Sequence, residues 1–403
     1  MTTIQSLAFE LHRHLQPSVA SGLPLSHVHE LLAACCGLGS WAAMNSQGLL
    51  TDGEAVGQML PAKVADISGR AVQLGYNATD GLALGDALRQ QVLRRSVRWI
   101  TWTNLEKLLQ PHLGPQPADG EYADDDNWEL DDELEEEMEH EGTSGPVPAL
   151  LRSSLLLNSL AARAGKRPEL HLWLAAIYRC RVPSAYLWEQ QQAGELLNVT
   201  EQAFVAQYIA LKPQHEAYRS HLRAAAEAGL PSAALEWAEV FEDRSYLHVF
   251  RSLGTPAQLV RVAALTMNPT ERTQLLKRAA VQLHPAALRQ LAASGDPDAT
   301  RALAERGDRE CLIKLASVAL GVGDVEQAWC WQFVAQHHGL DLTDSNAEAF
   351  HEGGLYANEP YDDDQGGPLY VLEDESVRLS AISDQAKDRA RARAAATIAV
   401  LPR

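Results

Sequence analysis

The feature that most constrains the fold is an alanine-rich run, residues 224–340, in which helix-start signals recur 12 to 16 residues apart beyond residue 250. A capping side chain, a proline at the first helical position, or both mark each start. The starts lie at Thr255, Asn268, His284, Asp296, Asp308 and Asp324. Helices of about ten residues are too short to be stable alone. The spacing therefore predicts short helices stacked in pairs, an α-solenoid.

The clearest turn of this run lies in residues 225–238, where Gly229 is expected to end one helix and small residues allow two helices to approach closely. Six positions resemble the core of Sel1-like repeats, relatives of tetratricopeptide repeats: Ala225, Ala226, Gly229, Ala233, Trp237 and Ala238. Residues 323–328 resemble a weaker copy, and the acidic, glycine-containing stretch 352–368 is similar to tails that follow such repeats in some bacterial proteins. The resemblance implies a protein–protein scaffold without catalytic residues.

Amphipathic helical spacing continues through most of the chain, and it predicts an all-α fold in four parts. We expect a helical domain at 1–116, an acidic linker at 117–147 and a degenerate Sel1/TPR-like α-solenoid at 148–343. An irregular tail, 344–403, should follow, with a final helix at 384–399 that caps the last helix pair. Within the solenoid region, Lys212-Pro213 is expected to end a helix.

The formal net charge of −19 is concentrated in the predicted linker, which carries fourteen acidic and no basic side chains. Self-repulsion favours disorder in such a segment. Apolar residues spaced about four apart favour the alternative, a short helix docked on a basic surface: Trp128, Leu130, Leu134 and Met138. An acidic field of this kind repels nucleic acid and anionic lipid, and it favours basic partners.

The first hundred residues contain a candidate helix-turn-helix. Ser26 and Ser40 are expected to cap the two helices on either side of a glycine turn, after a first helix at 4–15. DNA-binding helices need lysine or arginine for phosphate contacts, and residues 14–62 contain neither. We therefore interpret this stretch as an ordinary corner between two helices, within a helical pattern that continues over 61–75 and 80–110.

Four arginines form the basic cluster of this half, which we call the arginine cluster: Arg89, Arg94, Arg95 and Arg98. Trp99 and Trp102 follow it. Basic residues next to aromatic rings can bind single-stranded nucleic acid by charge and stacking. The simpler interpretation is a solvated arginine face with two core tryptophans, although the arginine cluster could also receive the acidic segment or a partner protein.

The sequence contains none of the common nucleotide-binding, zinc-protease or paired-cysteine motifs. One alternative for a metal site combines closely spaced residues near the N-terminus: His12, His14, His27, His29, Cys35 and Cys36. Ligands two apart on a helix diverge, so we expect no metal, no cofactor and no catalytic residue. The five cysteines are scattered, which is typical of a reducing cytosol. No apolar window reaches the length of a membrane span, so we expect a cytoplasmic protein without membrane contact.

These patterns favour a non-enzymatic, cytoplasmic bacterial scaffold or adaptor that binds a protein partner on its solenoid. An immunity or antitoxin-type protein is one form of this hypothesis, since an acidic binder suits a basic toxin. The alternative is a nucleic-acid-associated regulator that uses residues 1–110 as its binding module. A third possibility is a helical enzyme whose active site forms only in three dimensions.

Two tryptophans are the predicted anchors for a partner. Trp329 and Trp331 lie two residues apart on one helix, so they should not both face inward. We expect Trp331 to be the exposed member, and an exposed tryptophan on a solenoid is a suitable interface residue. Trp237, in the best repeat match, and the arginine cluster complete the predicted partner-binding residues.

Overall fold

A computed structural model describes residues 3–20, 22–53, 57–113, 146–344, 349–352, 360, 367–371 and 376–399. These residues form 19 α-helices and five short β-strands, so the predicted mostly helical, all-α character is confirmed. The chain divides into two compact units, Met1–Val249 and Phe250–Arg403. The predicted acidic linker, with its candidate docking helix, lies outside the described residues except for its last two positions.

The N-terminal unit contains twelve of the helices and a small sheet in its described part. Its elements are α1 Ile4–Leu15, α2 Leu25–Cys35, α3 Trp41–Gln47, β1 Gly48–Thr51, β2 Gln58–Met59, α4 Val64–Gln73, α5 Ala78–Arg94, β3 Arg98–Thr101, α6 Trp102–Leu109, α7 Pro146–Leu151, α8 Ser154–Ala164, α9 Glu169–Tyr178, α10 Tyr186–Gln192, α11 Val199–Glu227 and α12 Pro231–Val240.

Helices α1, α2, α4 and α5 bury their apolar faces in one core. The predicted helix at 4–15 is confirmed, and Ser40 caps α3 by accepting a hydrogen bond from the Ala43 N–H at 3.1 Å. The predicted cap at Ser26 is wrong, because α2 begins at Leu25, two residues earlier than such a cap implies, and has no side-chain cap. Ser26 is the second residue of α2, inside the helix, so its side chain is not at the N-cap position.

A three-stranded antiparallel sheet, in the order β1-β3-β2, interrupts the helical pattern that the sequence predicted over 80–110. Gly48 lies opposite Thr101, and Leu50 lies opposite Trp99. A Cβ atom at Gly48 would lie 2.2 Å from the Ile100 carbonyl oxygen, so only glycine fits where these strands meet. Trp99 is therefore a strand residue, and the prediction of a continuous helix here is wrong.

Asp52, at the end of β1, joins the sheet to the part of the chain that follows residue 145. Its carboxylate accepts hydrogen bonds from the Ser153 hydroxyl at 2.7 Å and from the Leu155 N–H at 2.9 Å. Asp52 thus helps to cap α8 from a distance of about a hundred residues in sequence. The segments on both sides of the predicted linker belong to one compact unit, whereas the predicted domain boundaries fall at 116 and 147.

Helix α11 is longer than the sequence indicated. It runs through Pro213 without a break, so the predicted helix end at Lys212-Pro213 is wrong. An internal proline costs a helix about 3 kcal/mol. Packing against α9 and α12 offsets this cost, as tertiary contacts commonly outweigh local propensity. Gly229 then ends the helix with a positive φ of 81°, as predicted.

The C-terminal unit contains seven further helices and two strands among its described residues. Its elements are α13 Pro256–Leu265, α14 Pro269–Val281, α15 Pro285–Ala293, α16 Pro297–Ala304, α17 Arg309–Gly321, α18 Val325–His337, β4 Ala349–His351, β5 Leu369–Val371 and α19 Asp384–Ala399. From α13 onwards each helix packs against the next, up to the contact of α18 with α19. The arrangement is therefore repeat-like.

All six predicted helix starts of this unit are confirmed. Side-chain oxygens accept hydrogen bonds from first-turn N–H groups at five of them: Thr255, Asn268, Asp296, Asp308 and Asp324. The sixth, at His284, has proline at the first helical position and no side-chain cap. The final helix at 384–399 forms as predicted, and residues 369–371 form a short strand, β5.

Arginine side chains connect helices to the carbonyl ends of their neighbours in this unit. Arg278 donates to the carbonyls of Phe250, Arg251 and Leu253. Arg272 donates to Ala263 and Thr266, both at 3.1 Å, at the end of α13. The last carbonyls of a helix have no partner inside it. Charged donors satisfy them and stabilise the negative end of the helix dipole.

Replacing Arg278 with Gln should lower the free energy of unfolding by about 1.5–3 kcal/mol, because hydrogen bonds from a charged donor to three carbonyls are lost. Urea unfolding monitored by circular dichroism measures the shift. Arg289→Gln is the control, since Arg289 is exposed and its replacement should change stability by less than about 0.5 kcal/mol. Equal stability of the two variants would show that the carbonyl contacts are unimportant.

Candidate binding surfaces

A groove with an apolar floor lies between α14, α15 and α16. It encloses about 310 Å³. Leu288, Leu291 and Ala299 form its buried floor. Val281, the last residue of α14, lines the groove with its side chain 83% exposed, and Leu283 in the following loop is also exposed. Exposed aliphatic side chains above an apolar floor are typical of a surface that binds another apolar group.

Charged side chains form the rim of this groove, which we call the α14–α16 groove. The Lys277 ammonium lies 3.1 Å from the Asp296 carboxylate. Hydrogen bonds from the Ala299 N–H and from Lys277 lower the pKa of Asp296 below its ordinary value. Asp298 is exposed on the same rim. Its carboxylate is available at the surface for a cationic group placed beside an apolar one.

The α14–α16 groove is absent from the sequence-based predictions. Val281 and Leu283 come at the end of a helix and in a short loop, where periodicity carries no information about exposure. Leu283 has a positive φ of 59°, a backbone conformation that branched residues rarely adopt. Its carbonyl accepts a hydrogen bond from Arg306 at 3.0 Å, which helps to hold the loop. The available signal was two apolar residues, Val281 and Leu283, on either side of Gln282 at a helix end.

The prediction that Trp331 is exposed is wrong, because only 5% of its surface is accessible. Helix α18 packs against both α17 and α19, so two neighbouring helices cover part of its surface. Trp329 is half-buried, its indole N–H donates to the Ser380 carbonyl at 2.9 Å, and the Lys387 ammonium lies 5.5 Å from its ring. Trp329 is thus held by contacts with Ser380 and with Lys387 of the final helix, and Trp331 is buried.

Trp237 also lies in the core, where it packs on Phe241 with ring centroids 4.6 Å apart. Its placement gives no support to the prediction that it contacts a partner. The preceding residue, Glu236, is buried and accepts hydrogen bonds from Arg179 at 2.5 Å and Tyr218 at 2.7 Å. Burial raises the pKa of Glu236, while Arg179 and Tyr218 act in the opposite direction. This network connects α11 and α12 with the segment after α9.

The four members of the arginine cluster do not form one surface. Arg89 and Arg94 are exposed on α5. Arg95 forms an ion pair with Glu10 of α1, and Arg98 belongs to β3, where it donates to the Gly57 carbonyl at 3.5 Å. Two of the four arginines, Arg95 and Arg98, therefore make contacts within the fold. The structure brings Trp102 close to different cations, Arg163 and Arg167.

The histidines and cysteines near the N-terminus occupy separate environments. His12 bonds to the Leu23 carbonyl at 2.6 Å, and His27 bonds to the Tyr76 hydroxyl at 2.9 Å. Burial raises the pKa of the Cys36 thiol to about 12. Within the described ranges, no three histidine, cysteine or acidic side chains come together as a metal site would require. In the same ranges, none of the helices has the length and hydropathy that crossing a bilayer requires.

Two histidines, His171 and His221, lie side by side between α9 and α11. The Nδ1 atoms of His171 and His221 are 2.9 Å apart, and Tyr178 stacks on His221. Burial and the neighbouring His171 lower the pKa of His221 to about 4. Both rings are therefore neutral near pH 7, with one donating to the other. This pair contributes to helix packing.

Comparison of the chain with protein-family models, with curated proteins and with solved structures gave no match.

Replacing Trp331 with Ala should lower the free energy of unfolding by about 3–5 kcal/mol, because a large buried ring leaves a cavity. Gln336→Ala is the control on the same helix, since Gln336 is exposed and should contribute little. Chemical denaturation measures both changes. If the Trp331 variant were as stable as the unmodified protein, Trp331 would not be a buried core residue, and it would again be a candidate for partner binding.

Proposed function

We propose that this protein is a non-enzymatic scaffold or adaptor of the Sel1/TPR-like kind, and that its helical array acts as an α-solenoid that binds a protein partner. The observation that supports this function best is the α14–α16 groove, with the exposed side chain of Val281 above a buried leucine floor. Repeat arrays commonly bind peptides or protein surfaces in such grooves. A cytoplasmic bacterial setting, with the final helix as a cap, is part of the same proposal.

The groove suits one or two aliphatic or aromatic side chains of a partner. Its volume of about 310 Å³ is at the lower end of the range for binding pockets. The exposed Asp298 on the rim favours a lysine or arginine next to the apolar group. The acidic segment 117–147 adds a long-range attraction for a basic partner. A basic toxin would fit this description, which keeps an immunity or antitoxin role within the proposal.

The split of the arginine cluster gives no support to nucleic-acid binding by residues 1–110. Arg95 is engaged with Glu10, and Arg98 donates to a backbone carbonyl. Phosphate contacts need cations that are free to face the ligand. The proposal therefore concerns a protein partner alone.

Peptide display against the immobilised full-length chain tests the proposal. The selected peptides should carry a leucine or aromatic residue beside a lysine or arginine. Replacing Val281 with Lys should weaken binding of a selected peptide at least about tenfold, a loss of about 1.4 kcal/mol. The reason is that a charge then lies over the apolar floor. Calorimetry with the unmodified protein and the variant measures the change.

Val322→Lys is the matched control, because Val322 is 77% exposed at the carboxyl end of α17 and is not part of the groove lining. It should bind selected peptides within about twofold of the unmodified protein, as surface changes outside a contact are nearly neutral. Both variants should keep their thermal stability. Failure to select any peptide, or equal binding by the Val281 variant, would reject the groove as the partner site.

A further inference from the structure

A second concave site lies in the N-terminal unit, distant in sequence from the α14–α16 groove. It encloses about 570 Å³, which is within the range of about 300–1,000 Å³ found for small-molecule sites. Its lining comes from the start of α1 and from α2, α3 and α8. Ile4 and Ala162 supply apolar surface, Trp41 forms an aromatic wall, and Asn45 and Ser159 supply polar groups. We call this site the Trp41 pocket.

The side-chain amide of Asn45 is held in one orientation. Arg163 Nη2 donates to Asn45 Oδ1 at 2.7 Å. An arginine donates hydrogen bonds and never accepts them, so the oxygen must be the atom of the amide that faces Arg163. Arg163 is the one hydrogen-bond partner of this amide among the residues that the structure describes. The NH2 group of Asn45 is therefore available as a donor to a ligand that carries an acceptor.

Ser159 is a nearly buried polar group in the pocket lining. Only 7% of its surface is accessible, and its hydroxyl has no hydrogen-bond partner in the described part of the chain. Buried hydroxyl groups are normally hydrogen-bonded. A ligand in the pocket can supply the missing partner, because a hydroxyl can either donate or accept.

The electrostatics of the Trp41 pocket favour a neutral ligand. Arg163 donates to Asn45 and its guanidinium lies over the Trp102 ring, 5.6 Å from the ring centroid. Trp102 is outside the pocket lining, so the positive charge is directed elsewhere. The His29 ring lies in the lining with its centroid 4.5 Å from that of Trp41. Burial lowers the pKa of His29, so its imidazole is neutral at pH 7. Among the described residues, no lysine or acidic side chain lines the pocket.

We propose that the Trp41 pocket binds the base of a free nucleoside, with the base against the Trp41 ring and an acceptor on its edge toward the Asn45 NH2 group. Each nucleobase has a ring nitrogen or carbonyl oxygen that accepts, and all bases can stack on an aromatic side chain. Ser159 and the neutral imidazole of His29 can donate or accept, which suits the mixed edge of a base.

A nucleoside without a phosphate suits this pocket because phosphate recognition depends on free cationic donors, and Arg163 is already engaged. The Trp41 pocket and the α14–α16 groove share no lining residue. Failure of one proposal therefore leaves the other open to its own test.

Adenosine, guanosine, cytidine and uridine are the probes, and ribose and methyl glucoside are the controls without a base. Saturation-transfer NMR and calorimetry with the full-length protein should show saturable binding of at least one nucleoside at or below millimolar concentration. Neither control should bind. The monophosphate of the same nucleoside and a short mixed-sequence RNA should bind no more tightly than the nucleoside itself.

Asn45→Asp keeps an oxygen toward Arg163 and replaces the NH2 donors with a second oxygen, so thermal stability should be kept and nucleoside binding should weaken at least about tenfold. Ser159→Ala removes a buried hydroxyl that has no partner in the described chain, so stability should not fall, whereas binding should weaken about three- to tenfold. Asn104→Asp is the matched control, because Asn104 is exposed and lies outside the pocket lining. It should change binding by less than about twofold.

Three results would overturn the proposal. The first is no saturable binding of any of the nucleosides at millimolar concentration. The second is nucleoside binding that is unchanged in Asn45→Asp, or weakened equally in Asn104→Asp, which would assign the effect to added charge. The third is binding of the monophosphate, the RNA or the glucoside at least about tenfold tighter than that of the nucleoside, a difference of about 1.4 kcal/mol.

Discussion

The structure of the C-terminal unit depends on how short helices satisfy their carboxyl ends. Helices of 8 to 13 residues run from α13 to α18, and helices of this length are marginal in isolation. Side chains from later elements donate to carbonyls at or beyond earlier helix ends: Arg272, Arg278, Arg306 and Lys314. Arg309, at the start of α17, donates in the other direction, to the carbonyls of Asp341 and Asp344 in the segment after α18. Most of these helices thus use their neighbours both for apolar burial and for hydrogen bonding.

Arginine side chains that donate to helix-end carbonyls are not free to contact a partner, so they reduce the cationic surface available for binding. Cations that bridge helices are held in place and contribute less to recognition than free ones. The α14–α16 groove lies next to such bridges, because Arg306 donates to the Leu283 carbonyl and Lys277 pairs with Asp296. A groove whose edges are held by these contacts is partly preorganised. Preorganisation lowers the entropic cost of binding a partner, which is consistent with the proposed scaffold role.

The local chemistry of the sequence predicted the helix starts well. A side-chain oxygen that reaches an N–H two or three residues on acts within one turn, so Thr255 or Asp308 can be recognised without tertiary information. The strand β3 could not be recognised in this way. Its residues follow a long amphipathic helix, and its pairing with Gly48 and Leu50 depends on contacts about fifty residues away.

The candidate site was less predictable for the same reason. Trp331 is buried on a helix that packs against both α17 and α19, and the sequence gives no direct sign of which helix lies on which face. The hydrogen bond between Arg163 and Asn45 is a three-dimensional property as well, since the two residues are more than a hundred positions apart in sequence. An exposed apolar residue such as Val281 indicates a binding surface only when the buried residues that it lies above are known.

Native-state hydrogen exchange of the C-terminal unit tests most directly whether the arginine contacts make its helices cooperate. The slowest amides of α13 and α18 should open with the same free energy in low denaturant. Loss of the Arg278 contacts, which lie at the start of the unit, should lower both values equally. A decrease confined to α13, with α18 unchanged, would show that the helices open independently and would contradict the account.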